Sequence, residues 1–210
     1  MKYKNIFVTG CDIGVGKTIV SSILVSAFSC DYWKPIQCGT DEATDSITVR
    51  ALVEESKIII HPESYVLDLP KSPHLAAYKQ NVRINLSKII LPSTNYRLIV
   101  EGAGGVLVPL NDRDYVIDIA IKEKMPVIFV SKNYLGSLNH TFLSIEALRS
   151  RGLLVVGLVF NGDSDPELET FVANKCDLPI LFRISNFPHL DKRTISKVAS
   201  ELKRELENML

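Results

Sequence analysis

The chain carries no net charge: its 24 lysines and arginines are balanced by 24 aspartates and glutamates. A protein built on a broad basic face for nucleic acid needs an excess of cations, so that class is disfavoured, although a local patch stays open. The same balance removes the self-repulsion that would oppose self-association. Long apolar runs are also missing, and no window approaches the ~18 residues of a membrane span. Met1-Lys2-Tyr3-Lys4-Asn5 runs straight into a short apolar stretch and then a glycine-rich loop, which leaves no room for a secretory leader. Cysteine is scarce, and Cys11, Cys30, Cys38 and Cys176 show neither the paired spacing of a zinc site nor a disulfide framework. The histidines are scattered, with no His-x-x-x-His, which argues against a transition-metal site. Free thiols in a cytoplasmic protein are the simplest account. What is present, 46% hydrophobic and 23% charged residues in a chain of 210, suits one globular domain over residues 1–210 with a real core.

The most informative stretch is Gly10-Cys11-Asp12-Ile13-Gly14-Val15-Gly16-Lys17-Thr18, which follows the apolar run Ile6-Phe7-Val8. Glycines let a backbone turn tightly and aim successive N–H groups at phosphate oxygens. Lys17 supplies positive charge for the β- and γ-phosphates of a nucleotide, and the Thr18 hydroxyl can ligate Mg²⁺. A helix beginning near Lys17 adds its positive N-terminal dipole. The usual pattern has four residues between the first glycine and Gly-Lys-Ser/Thr; here five separate Gly10 from Gly16, so Cys11 holds the first glycine position.

Apolar runs and helical stripes alternate along the whole chain. Strands are predicted over 5–9, 32–36, 97–101, 126–130, 154–160 and 178–182, and helices over 17–29, 43–55, 115–124, 138–151, 166–175 and 192–209. Unbroken apolar strands alternating with helices predict an α/β fold of the P-loop NTPase type, a mostly parallel sheet with helices on both faces. Ligands of such folds bind beyond the carboxyl ends of the strands, where Gly10, Lys34, Glu101, Lys132 and Asn161 all fall. The proline-rich stretch 57–96 is too long for a plain loop and reads as a crossover carrying a substrate-facing insertion. The last helix places Ile195, Val198, Ala199, Leu202 and Leu206 on one face, expected to pack on the sheet.

Further groups carry chemistry. Glu101 ends an apolar strand and precedes Gly102-Ala103-Gly104-Gly105; beside a phosphate loop it reads as a Mg²⁺ carboxylate, and by itself as an exposed acid in a glycine turn. Lys34, in Trp33-Lys34-Pro35-Ile36-Gln37-Cys38-Gly39, shares an edge with Lys17, and paired cations suit a reaction that builds up anionic charge. Asp45 is either a helix-capping carboxylate or a further Mg²⁺ ligand. At Gly136-Ser137-Leu138-Asn139-His140 a helix start offers free N–H groups to a carboxylate, while a plain capped start explains Ser137 equally well.

Taken together, TGCDIGVGKT (9–18), WKPIQCG (33–39), SPHLAA (72–77), VEGAGGVLVPL (100–110), LGSLNHT (135–141) and VFN (159–161) resemble the dethiobiotin synthetase family. The resemblance implies ATP- and Mg²⁺-dependent joining of CO₂ or bicarbonate to 7,8-diaminopelargonic acid, with closure of a cyclic urea. It implies that Asp12, Ile13, Gly14, Val15, Gly16, Lys17 and Thr18 cradle the nucleotide and that Asn161 meets its base. Thr18, Asp45 and Glu101 would hold the metal, and Lys17 and Lys34 would be catalytic. Lys34, Cys38, Gly104, Gly136, Ser137 and Asn139 would face the diamine, the last three from the other subunit of a homodimer. Departures are Ile13 and Gly14, where the family often has threonine and glutamate, Cys38 in place of serine, and Ile184-Ser185-Asn186-Phe187 in place of Ile-Pro-x-Leu. The rival reading, a regulatory P-loop ATPase of the partitioning or septum-positioning type, expects an early Lys-Gly-Gly in the loop, which Gly10-Cys11-Asp12 lacks.

Overall fold

The computed structural model describes residues 2–54, 58–184, 187 and 189–210. The strands β1 (Asn5–Gly10), β2 (Asp31–Trp33), β4 (Ile60–His61), β6 (Leu98–Glu101), β7 (Val127–Lys132), β8 (Val155–Asn161) and β9 (Ile180–Ile184) form one sheet in the order β4-β2-β6-β1-β7-β8-β9. Every pairing in it is parallel. Two short strands, β3 (Ile36–Cys38) and β5 (Tyr65–Leu67), pair as a separate ribbon.

Side chains alternate across a strand, so each strand feeds both faces of the sheet. Phe7, Leu98, Val100, Phe129, Leu158 and Phe160 enter one apolar cluster, while Ile6, Val8, Ile99, Ile128, Val130 and Val159 enter the other. The first is roofed by α3 (Pro73–Lys79), α4 (Asp118–Lys122), α5 (Ser137–Ser150) and α6 (Pro166–Cys176). The second is roofed by α1 (Lys17–Phe28), α2 (Asp45–Leu52) and α7 (Lys192–Met209). The predicted α/β architecture is therefore present, with helices on both faces. Among the described residues no helix is long and apolar enough to cross a membrane.

The departures have local causes. The strand predicted over 32–36 divides after Trp33, because Pro35 cannot donate to a ladder, and the chain restarts as β3 in the ribbon. The stretch 57–96 supplies β4, β5, α3 and a 3₁₀ turn at Leu86–Lys88; its Pro70, Lys71, Ser72 and Pro73 face the main cavity. Along α7, Ile195, Ala199 and Leu206 are buried as the pattern requires, but the helix packs on α1 as well as against β9. Position 55, the end of the predicted second helix, lies outside the described residues, as do Ser185 and Asn186.

Candidate active site

The carboxyl edge of the sheet opens into a cavity of about 810 Å³. Its floor is the loop between β1 and α1. Gly16 sits at φ 99°, and a Cβ there would come within 2.5 Å of Asn161 Nδ2, so only glycine fits. The second glycine loop presses on the first: a Cβ on Gly105 would lie 2.9 Å from the Cys11 carbonyl oxygen. Asn161, at the end of β8, donates from Nδ2 to the Val15 carbonyl at 2.9 Å and so ties the loop to the sheet.

Around Thr18 the charged groups converge. Its Oγ1 lies 2.8 Å from Asp45 Oδ1 and 2.9 Å from Glu101 Oε1. Lys34 is buried just past the end of β2; its Nζ pairs with Asp45 Oδ2 and lies 3.2 Å from Glu101 Oε1. Lys17 Nζ donates to the Asp12 carbonyl at 2.7 Å, folded back over its own loop. Asp45 is the first residue of α2, and the Thr44 side chain supplies the cap, accepting from Ile47 N at 3.3 Å. The capping alternative for Asp45 is thereby set aside, and its carboxylate is free to face the cavity. The side chain of Gln37 steers that turn by accepting from Asp45 N at 3.3 Å.

Burial and neighbours set the protonation states. Burial, reinforced by the Lys34 charge, lowers the Lys17 ammonium to about 8. Burial also works against the Lys34 ammonium, but Glu101 and Asp45 outweigh it and hold its pKa above the ordinary lysine value. For Asp45, burial would favour the acid, yet the Lys34 charge prevails and keeps the carboxyl below its usual range. Burial pushes the Cys38 thiol up to about 11, so it enters the site as a neutral group. Tyr32, whose hydroxyl donates to Glu101 Oε2 at 3.0 Å, is held well above the usual phenol range by burial and then by the Glu101 charge.

Most of the sequence-predicted residues meet here: Asp12, Ile13, Gly14, Gly16, Lys17, Thr18, Lys34, Cys38, Asp45, Glu101, Gly104 and Asn161 line the cavity. Val15 does not; its side chain is buried beneath the loop. Gly136, Ser137 and Asn139 also lie elsewhere, at the start of α5, where Gly136 rather than Ser137 is the cap residue and Asn139 is exposed. A smaller cavity of about 350 Å³ separates α5 from the two glycine loops, lined by Cys11, Gly105, Val108, His140 and Leu143 among others. Tyr32 stood at the start of a predicted strand and Gln37 inside a quoted motif, neither with a role. Only a polar atom in an otherwise apolar strand flagged the first, and nothing local flagged the second.

A glycine loop joining strand to helix, an adjoining lysine and threonine, and two carboxylates at the same sheet edge define a nucleotide-binding protein of the P-loop class. A family model described as an AAA domain matches residues 4–194. The fold is similar to that of the cell-division ATPase MinD of Pyrococcus furiosus, at TM-score 0.59 and 17% identity over 99% of this chain and 100% of that one. Closer in sequence are two ATP-dependent dethiobiotin synthetases. That of Cytophaga hutchinsonii is 44% identical over 95% of this chain and 97% of its own length. That of Christiangramia forsetii is 40% identical over 97% and 98%. The chain belongs to the dethiobiotin synthetase family, and it is an ATP-binding ligase of biotin biosynthesis, forming C–N bonds.

Proposed function

We propose that the protein carboxylates 7,8-diaminopelargonic acid and closes it to dethiobiotin, with ATP and Mg²⁺. One amine takes up CO₂ and loses a proton, giving a carbamate. A carbamate oxygen then attacks the γ-phosphorus, and ADP leaves. The second amine attacks the carbonyl carbon of the mixed anhydride, phosphate departs, and the cyclic urea is complete.

Lys34 carries the reading. A buried ammonium beside Glu101 and Asp45, facing the same cavity as Lys17, is placed for an anion that forms inside the site. In that role it neutralises the carbamate and then the transferred phosphoryl group. Lys17 turns from the Asp12 carbonyl to the β- and γ-phosphates, which the loop N–H groups cradle. The donor set of Thr18 Oγ1, Asp45 and Glu101 is all hard oxygen and fits Mg²⁺. Among the described residues no cluster of three or more His, Cys, Asp or Glu could hold a metal unaided, so phosphate oxygens and water would complete the shell. The ion would supply positive charge against the β- and γ-phosphates. Cys38 and Gly104 border the diamine. Holding both nitrogens beside one carbon makes the closure intramolecular, worth on the order of 7–11 kcal/mol when alignment is good.

The distant carboxylate of the diamine would reach the start of α5 in a second copy, where Gly136, Ser137 and Asn139 present backbone and side-chain donors. That assignment suits their position outside the main cavity of their own chain, and it makes a homodimer the working unit. Asn161 would lie under the base. The composition, with no basic excess, fits a cytoplasmic enzyme of small molecules rather than a nucleic-acid or membrane protein. The test is incubation with 7,8-diaminopelargonic acid, bicarbonate, Mg²⁺ and, separately, ATP, GTP and CTP, followed by mass spectrometry. Dethiobiotin is expected with ATP. No product with any nucleotide, from folded protein, would overturn the reading.

A further inference from the structure

The two oxygens of Glu101 have separate partners. Oε1 faces Thr18 Oγ1 at 2.9 Å and Lys34 Nζ at 3.2 Å, on the cavity side. Oε2 points away and accepts from the Tyr32 hydroxyl at 3.0 Å. Both side chains are buried, Tyr32 at 0% and Glu101 at 1% exposure. Tyr32 does not line the cavity, so it has no direct access to a nucleotide or a diamine.

Register explains the contact. Tyr32 on β2 lies opposite Ile99 on β6, and Glu101 is the next residue but one, hence on the same face of the sheet. Two residues of strand rise about 6.6 Å, close to the reach of a tyrosine from its Cα to its hydroxyl. The neighbouring Trp33 points to the opposite face and donates to the Pro62 carbonyl at 3.0 Å. No shorter hydroxyl at position 32 could span the gap. A phenylalanine would fill the same volume but leave Oε2 a buried acceptor without that donor. The terminal torsion of a glutamate is broad and two-fold, so an unrestrained Glu101 could turn either oxygen, or both, toward the cavity.

We propose that Tyr32 is a positioning residue for the divalent cation: it pins Glu101 Oε2, so that Oε1 alone is presented beside Asp45 and Thr18. The inference rests on the nucleotide-and-metal reading of the site given above. It adds a residue whose side chain belongs to the core and whose effect appears only through Glu101. Supporting groups of this kind, one hydrogen bond behind the ligand, commonly change metal affinity about 10–100-fold when lost.

The experiment titrates Mn²⁺ into the full-length protein with ADP present and reads free Mn²⁺ by electron paramagnetic resonance. No diamine is needed. Tyr32→Phe is expected to weaken Mn²⁺ binding about tenfold. In turnover it should raise the Mg²⁺ concentration for half-saturation while leaving kcat at saturating Mg²⁺ within about twofold, the split expected when a loss falls on binding alone. Tyr32→Met, which removes the donor with a differently shaped filler, should weaken Mn²⁺ similarly and keeps the test usable if the first variant does not fold. In a Glu101→Met background, which leaves no side-chain oxygen to accept from the hydroxyl, Tyr32→Phe should produce no further loss, because the coupling partner is already gone. Unchanged Mn²⁺ affinity in the tyrosine variants, or an equal loss in the Glu101→Met background, would overturn the role. Wild-type protein that takes up no Mn²⁺ with ADP would instead overturn the nucleotide-and-metal reading, and this inference with it.

Discussion

Lys17 and Lys34 face one cavity, yet they hold their protons with different strength. Lys17 has been lowered to about 8, whereas the carboxylates around Lys34 keep its proton firmly bound. Polyanionic phosphate favours the charged form of Lys17, so ATP binding should raise its pKa. Below pH 7 the ammonium is already charged and little proton is exchanged; near pH 9 it is mostly neutral and binding must take up close to one proton. Calorimetry in buffers of different ionisation enthalpy measures this, and the absence of proton uptake at pH 9 would place Lys17 away from the phosphates. Lys34→Met keeps the aliphatic stem but removes the cation shared by Asp45 and Glu101. Folded protein with turnover reduced about 10²–10³-fold is expected, the scale seen when one fixed transition-state partner is lost. Near-normal turnover would remove Lys34 from the chemistry. Both lysines were legible because each sits inside a recognisable motif. Tyr32 was not, because its purpose depends on β6 lying beside β2, across 69 residues of chain.

At the scale of elements, legibility followed length. The helix 192–209 and the strands 126–130 and 154–160 repeat their pattern often enough to be read, and α7, β7 and β8 stand there within a few residues. The short strands β4 and β5 and the seven-residue α3 carry too few repeats for any period to emerge. Those unread pieces matter, since the turn before α3 brings Pro70, Lys71 and Ser72 to the cavity. The α7 helix secures the opposite side of the phosphate-loop helix. Leu206 is fully buried in the cluster that α7 shares with α1. Leu206→Ala should therefore cost about 2–5 kcal/mol in urea unfolding. A loss below about 0.5 kcal/mol, the size of an ordinary surface substitution, would mean that α7 does not brace the domain.

For the whole molecule, the proposed homodimer turns on the surface around the start of α5. Leu135 is fully exposed, and Tyr134 at 38% and Leu143 at 56% lie near it along the chain. An exposed leucine by itself is ordinary, but here it adjoins the residues assigned to the substrate carboxylate. The homodimer reading predicts a solution mass of twice 23.4 kDa by sedimentation equilibrium. Leu135→Asp should shift the protein toward the monomer and raise the apparent KM for the diamine along with it. Asn139→Ala should raise the same KM without changing the mass. A monomeric wild type that turns over normally would refute the shared site. Charge neutrality leaves association unopposed, but it does not select the face.

The sequence by itself determined the class of the protein, its parallel sheet and the glycine loop proposed to bind phosphate. Those features reside in contiguous patterns, where strand, loop and helix follow one another and each residue type has a local physical task. Only the tertiary structure decided how Thr18, Lys34, Asp45 and Glu101 meet, which oxygen of Glu101 faces the cavity, and that the α5 start stands apart from it. Those relations depend on strand order and register. Order and register arise from burying both faces of the sheet at once, a condition that no single segment carries.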